Sequence, residues 1–171
     1  MKKIMLTALV AVITMVSTNA QNFGAKAGVN FASITGDETE DLDGRTSFFI
    51  GAVVEFEISD KFSFQPELLY SGQGAKSSYS SESGDVSEES VVKLDYLNIP
   101  LMAKYYVSEG FSIEAGPQVG FLLSAKNEYE YTFDGDTESE TEDIKEEVSS
   151  IDFGLNFGVG YKLDSGLNFG A

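Results

Sequence analysis

Carboxylates are the reactive groups this chain holds in quantity: 28 Asp and Glu stand against 11 Lys and Arg, with no histidine and no cysteine. Two runs concentrate them, Asp37-Glu38-Thr39-Glu40-Asp41 and Asp134-Gly135-Asp136-Thr137-Glu138. Both offer hard oxygen donors of the kind calcium and magnesium take, but neither has the ligand spacing of an EF-hand loop. They read as solvated acidic loops, held open by their own repulsion. Without histidine or cysteine there is no Ser-His-Asp or Cys-His nucleophile, no disulfide framework and no Cys/His metal site. A carboxylate pair could still act as acid and base, yet no spacing singles one out. The expectation is therefore no catalytic, no cofactor-binding and no metal-ligating residue, and a protein that is not an enzyme. A formal charge of −17 also argues against a nucleic-acid partner, which needs a basic footprint.

The N-terminus has its own grammar. Lys2 and Lys3 precede Ile4 to Val16, in which only Thr7 and Thr14 are not apolar, and Thr18-Asn19-Ala20 follows with small residues where a signal peptidase reads. The apolar run is too short to span a bilayer as a helix. Residues 1–20 are thus expected to be a secretory signal peptide, and residues 21–171 the mature domain. Loss of Lys2 and Lys3 leaves 9 bases against 28 acids, a side-chain charge of −19.

Beyond Gln21 the apolar residues recur with period two. From Phe111 to Ala125 the odd positions read Phe, Ile, Ala, Pro, Val, Phe, Leu, Ala, and from Ile151 to Leu163 they read Ile, Phe, Leu, Phe, Val, Tyr, Leu. Alternation of that length predicts strands with one apolar and one polar face. Looser versions run over 23–31, 48–58, 62–70 and 97–107, and a seventh strand starts at Leu167. No segment of helical period competes with them.

Short and long connections alternate strictly. Ser59-Asp60-Lys61, Ser108-Glu109-Gly110 and Asp164-Ser165-Gly166 are tight; Gly36 to Thr46, Lys76 to Ser90 and Asn127 to Ser149 are long and hold 19 of the 28 acids. All short connections therefore lie at one end of an up-and-down sheet and all long ones at the other. An outer-membrane barrel has this asymmetry, with short periplasmic turns and long outer loops. The strands would cross tilted, with Tyr70, Tyr105, Tyr161, Phe23, Phe48, Phe62 and Phe111 as aromatic girdles.

The two strand faces fit that solvent. The apolar face carries no charge, whereas the other is rich in glycine and holds Lys26, Glu55, Glu57, Glu67, Lys104, Glu114, Asp152 and Lys162. Small residues interleaved with opposite charges suit a narrow barrel interior, where charges pair. Glu67 and Lys104, inward on neighbouring strands, are the expected lumen ion pair. Pro66, Pro100 and Pro117 fall inside the strand patterns, each removing a ladder donor, and are expected at bulges or near the rims. The fold class expected is all-β: an antiparallel up-and-down transmembrane β-barrel of eight strands. About seven are present, so a return strand is expected beyond Ala171, because single-chain bacterial barrels have even strand counts.

Tyr96-Leu97-Asn98-Ile99-Pro100-Leu101-Met102-Ala103-Lys104-Tyr105-Tyr106 resembles the hallmark strand of the outer-membrane β-barrel family known as the porin family, or PorT-like. Phe64-Gln65-Pro66-Glu67-Leu68-Leu69-Tyr70-Ser71, Gly116-Pro117-Gln118-Val119-Gly120 and Gly28-Val29-Asn30-Phe31 resemble further signatures of it. The resemblance implies an eight-stranded OmpA/OmpX-like barrel, strand prolines as family features, and a final strand ending in an aromatic that the barrel-assembly machinery reads. An eight-stranded interior is filled by its own side chains, so bulk solute flow is not expected. The function expected is a structural or surface-interaction component of the bacterial outer membrane with acidic extracellular loops. The alternatives are a narrow porin-like solute or ion passage, or, because PorT is linked to secretion, an accessory component of a secretion system. Its partners would be outer-membrane lipid, the barrel-assembly machinery during biogenesis, and extracellular or secretion-system proteins.

Overall fold

In a computed structural model of the chain, residues 21–34, 42–81 and 86–171 are described. The expected signal peptide, residues 1–20, and the Asp37–Asp41 run lie outside them. The described residues form eight strands and no helix: β1 (Gln21–Ala32), β2 (Asp43–Ser59), β3 (Phe62–Ser80), β4 (Val86–Tyr106), β5 (Phe111–Phe133), β6 (Asp136–Asp143), β7 (Ile151–Lys162) and β8 (Asn168–Gly170). All pairings are antiparallel, in the order β1-β2-β3-β4-β5-β7-β8, with β6 added to β5 off that path. This is an up-and-down half-barrel. Among the described residues no pairing joins β1 to β8.

The tight turns fall where the pattern placed them. Gly110 and Gly166 take the left-handed φ values of 78° and 86° that a side chain would resist. The long connections behave differently. β3 and β4 continue as one hairpin to Ser80 and Val86, and most of the stretch from Asn127 to Ser149 is strand. Asp134 and Gly135 make the turn between β5 and β6, both at positive φ. The second and third long connections, which the sequence suggested as repelling acidic loops, are in the described residues an outer sheet of four strands, the upper parts of β3, β4 and β5 with β6. Cross-strand pairing with serine, threonine and tyrosine supplies what charge repulsion alone would oppose.

Alternation sorts side chains as expected. Phe153, Leu155 and Phe157 on β7 are 77%, 73% and 79% exposed and point to the outside of the sheet. Ser63, Gln65, Glu67, Asn98, Lys104 and Ser112 are buried on the concave side. An apolar exterior around a polar interior is the reverse of a water-soluble domain, and it suits a hydrocarbon solvent. Near the tight turns Phe62 faces Tyr105 and Phe111 faces Tyr161, while Phe48 and Tyr70 meet higher on the sheet at 5.7 Å between ring centroids. These are two aromatic belts.

The alternation fails at one place. Asp95 pairs with Ser124 but Tyr96 pairs with Leu122, so Leu123 is an extra residue in β5. Above this bulge the odd positions turn inward, and Ala125, expected on the outer face, is buried on the inner one. The prolines correct one half of a second expectation, the placement at bulges. None lies at a register shift. Instead the pairing pauses and resumes in the same register: at Pro66 on its β2 side, at Pro100 on its β3 side and at Pro117 on its β4 side. Each proline keeps its other neighbour and gives up the bond its missing N–H cannot make. The backbones stay close at and beside the pauses, Gly116 lying in the β4–β5 pause and Gly51 in the paired stretch just before the β2–β3 one. A Cβ on Gly51 would meet the Leu68 carbonyl oxygen at 1.9 Å, and one on Gly116 the Leu101 carbonyl oxygen at 2.0 Å.

Candidate functional site

Two regions gather polar chemistry: the lumen and the outer sheet. In the lumen, the expected direct pair between Glu67 and Lys104 does not form, because register forbids it. Gln65 lies opposite Met102 and Ser63 opposite Lys104, which sets Lys104 four residues along its strand from the level of Glu67. Both Glu67 carboxylate oxygens instead accept from Lys26 Nζ at 3.0 Å, from β1. Lys104 pairs with its direct cross-strand neighbour on β5, Glu114, at 3.0 Å. Gln65 links the two pairs, donating to Glu67 at 2.6 Å and accepting from Lys104 at 3.3 Å. Ser112 completes the row by donating to Glu114 at 2.9 Å.

Nearer the tight turns a second row crosses the interior. Lys162 on β7 reaches Glu55 on β2 at 3.0 Å and Glu57 at 3.7 Å. Tyr106 on β4 donates to Glu55 at 2.5 Å, and Asn22 on β1 donates to Glu57 at 3.1 Å. Opposite walls of the half-barrel are thus within one lysine of each other. Above the ionic rows Asn156 donates to Gln118 at 3.1 Å, and Asn30 donates to Ser71 at 2.8 Å. Among the buried side-chain polar atoms of the described residues, Ser63 Oγ alone lacks a partner.

The outer end of the interior is apolar. Tyr96, Leu122 and Ala125 form a small buried cluster, against which Leu94, Ile144 and Val148 pack. Residues 144–150 leave the sheet between β6 and β7, anchored by Ile144 N–H on the Ala125 carbonyl at 3.1 Å and Leu122 N–H on the Ser150 carbonyl at 3.0 Å. The β5 bulge makes this possible by bringing Leu122 and Ala125 to the same side. The sequence hint was Leu122, the one large apolar residue on an otherwise polar face.

On the outer sheet β6 alternates up to its last residue: Asp136, Glu138, Glu140 and Glu142 share one face, and Thr137, Ser139, Thr141 and the terminal Asp143 the other. Opposite the carboxylates on β5 stand Phe133, Tyr131, Tyr129 and Asn127. Glu88 on β4 lies across from Tyr131, and an open groove of about 650 Å³ is lined by Glu88, Tyr129, Tyr131, Glu138, Ser139 and Glu140. Desolvation, and then the neighbouring Glu88 carboxylate, push the exposed Tyr129 phenol above its ordinary range. The Asp134–Glu138 run, a candidate cation loop by composition, is the turn and the first three residues of β6. Among the described residues no three acids converge as a metal site would require.

Sequence reasoning placed the lumen charges on the right face and mispaired them. Lys104 and Glu114 lie equally far from Glu109 at the centre of their tight turn, a hairpin signal sufficient to have matched them. Lys26 to Glu67 and Lys162 to Glu55 skip intervening strands and follow from curvature alone.

A curled antiparallel sheet with an apolar exterior, paired aromatic belts and a charge-matched interior defines a transmembrane β-barrel protein. The outer membrane protein beta-barrel domain model matches residues 18–171, and the chain belongs to that family of outer-membrane proteins. No curated protein and no solved structure matches it significantly.

Proposed function

We propose that this outer-membrane barrel is a non-conducting structural and surface-interaction component. Its tight turns face the periplasm and its acidic hairpins face outside, after export by the residue 1–20 signal peptide. The reading includes no catalysis, in keeping with a sequence that has no histidine or cysteine to form a Ser-His or Cys-His nucleophile. Its permanent partners would be outer-membrane lipid and, during biogenesis, the barrel-assembly machinery. The outer sheet meets extracellular or secretion-system proteins.

The observation that carries the reading is the bridge from Lys162 to Glu55, which joins opposite walls at 3.0 Å. With the Lys26–Glu67–Gln65–Lys104–Glu114 row beside it, side chains fill the space a solute would need. Protein reconstituted in planar bilayers should pass no steady current, and intact cells should be labelled at a cysteine placed at Gly135 but not at Asp60. Sustained open-channel conductance would replace this reading with the narrow passage. Labelling at Asp60 alone would reverse the orientation.

A further inference from the structure

Among the described residues β6 pairs with β5 along one edge, and no strand pairs with the other. All eight of its residues are exposed. A free strand edge outside the bilayer offers a row of backbone donors and acceptors that a further strand can complete. Its side chains state what that strand should carry. Asp136, Glu138, Glu140 and Glu142 repeat at every second residue, about 6.8 Å apart along an extended chain. None of the four forms an ion pair or side-chain hydrogen bond among the described residues. Two acids elsewhere on the outer sheet have cation partners: Lys76 pairs with Glu89 at 2.7 Å, and Lys93 pairs with Glu128. On the β5 side, Tyr129 and Tyr131 flank the unmatched row and form the groove with Glu88. Carboxylates beside aromatic faces hold ammonium and guanidinium groups by both charge and cation–π attraction.

We propose that the free edge of β6 binds an extended cationic polypeptide segment as an added strand. Lysine or arginine at alternate positions of that segment lies along the Asp136–Glu142 carboxylate row and over the Tyr129–Tyr131 groove. Period two is the recognition element. A partner with the same charge in one block could satisfy the carboxylates or the backbone ladder, but not both, since consecutive side chains of a strand point to opposite faces. Threonine or serine at the intervening positions would match Thr137, Ser139 and Thr141 on the second face. The inference rests on the proposed outward display for its biological setting, but the binding itself needs only the folded protein.

The experiment uses the full chain folded in detergent micelles and three labelled octapeptides, read by fluorescence anisotropy. The first alternates lysine and threonine, the second has the same composition with the lysines in one block, and the third is the alternating peptide N-methylated on alternate backbone amides. The alternating peptide should bind at least about tenfold more tightly than either of the others. The triple change E138Q/E140Q/E142Q, checked for retained heat-modifiable gel mobility, should remove most of that preference. Equal binding of the three peptides would reduce the effect to bulk charge attraction and overturn the proposal. So would failure of the alternating peptide to bind at millimolar concentration. Conductance or reversed labelling would overturn the functional reading and leave this peptide comparison standing.

Discussion

Lys104 shows how much of this protein is decided by single buried charges. Its side chain is 1% exposed and is held by Glu114 and Gln65. An ammonium removed from water is stable only where such partners replace its hydration. Lys104→Met should therefore strand Glu114 and destabilise the folded protein by about 3–5 kcal/mol, whereas K104M/E114L should recover most of that loss. Urea unfolding of the refolded protein in lipid vesicles measures both. Equal damage from the single and double changes would mean that packing, and not charge, is what Lys104 contributes. Gln65 has a different part, since its amide donates to one pair and accepts from the other, and its loss would uncouple the two pairs without leaving a charge unpaired.

Strands here are organised by the residues that interrupt them. The pauses at Pro66, Pro100 and Pro117 follow one another across β2 to β5, and glycines flank them where neighbouring backbones press closest. A side chain at Gly51 or Gly116 would collide with main-chain oxygen, which cannot rotate away as a flexible side chain can. Gly116→Ala and Gly51→Ala should each cost about 1–3 kcal/mol through forced backbone displacement. Gly154→Ala, where a Cβ meets nothing within 4 Å, should be close to neutral. The temperature at which the folded gel band converts to the unfolded one ranks the three. Indistinguishable temperatures would show that the sheet relaxes around the added methyl groups.

At the scale of the molecule the deciding term is the solvent around the convex face. Leu155 is 73% exposed in the middle of β7, between Phe153 and Phe157. In water, arginine there would be harmless or helpful. In a bilayer Leu155→Arg should cost about 2–4 kcal/mol near the midplane, because hydrocarbon cannot solvate a guanidinium. Comparing the substitution in vesicles and in detergent micelles, where head groups reach the charge more easily, should show a larger loss in vesicles. No loss in vesicles would place β7 outside the lipid. The outer sheet lies beyond that constraint, and there exposed carboxylates are compatible with stable strands.

Period-two alternation determined the strand faces, because each strand residue must point to one side or the other and lipid tolerates only apolar ones. Phe111 to Phe121 and Ile151 to Tyr161 carry that information without reference to any neighbour. Turn chemistry at Ser108-Glu109-Gly110 and Asp164-Ser165-Gly166 determined the order and direction of the strands in the same local way. Partnership across the lumen was not local. Lys26 meets Glu67 and Lys162 meets Glu55 only after the sheet has curled, because neither pair lies on neighbouring strands. The same bulge turned Ala125 inward and created the apolar cluster under Ile144 and Val148, against the alternation on either side. One extra residue in one strand inverts every facing position beyond it, and only pairing with the neighbouring strand reveals that the extra residue is there.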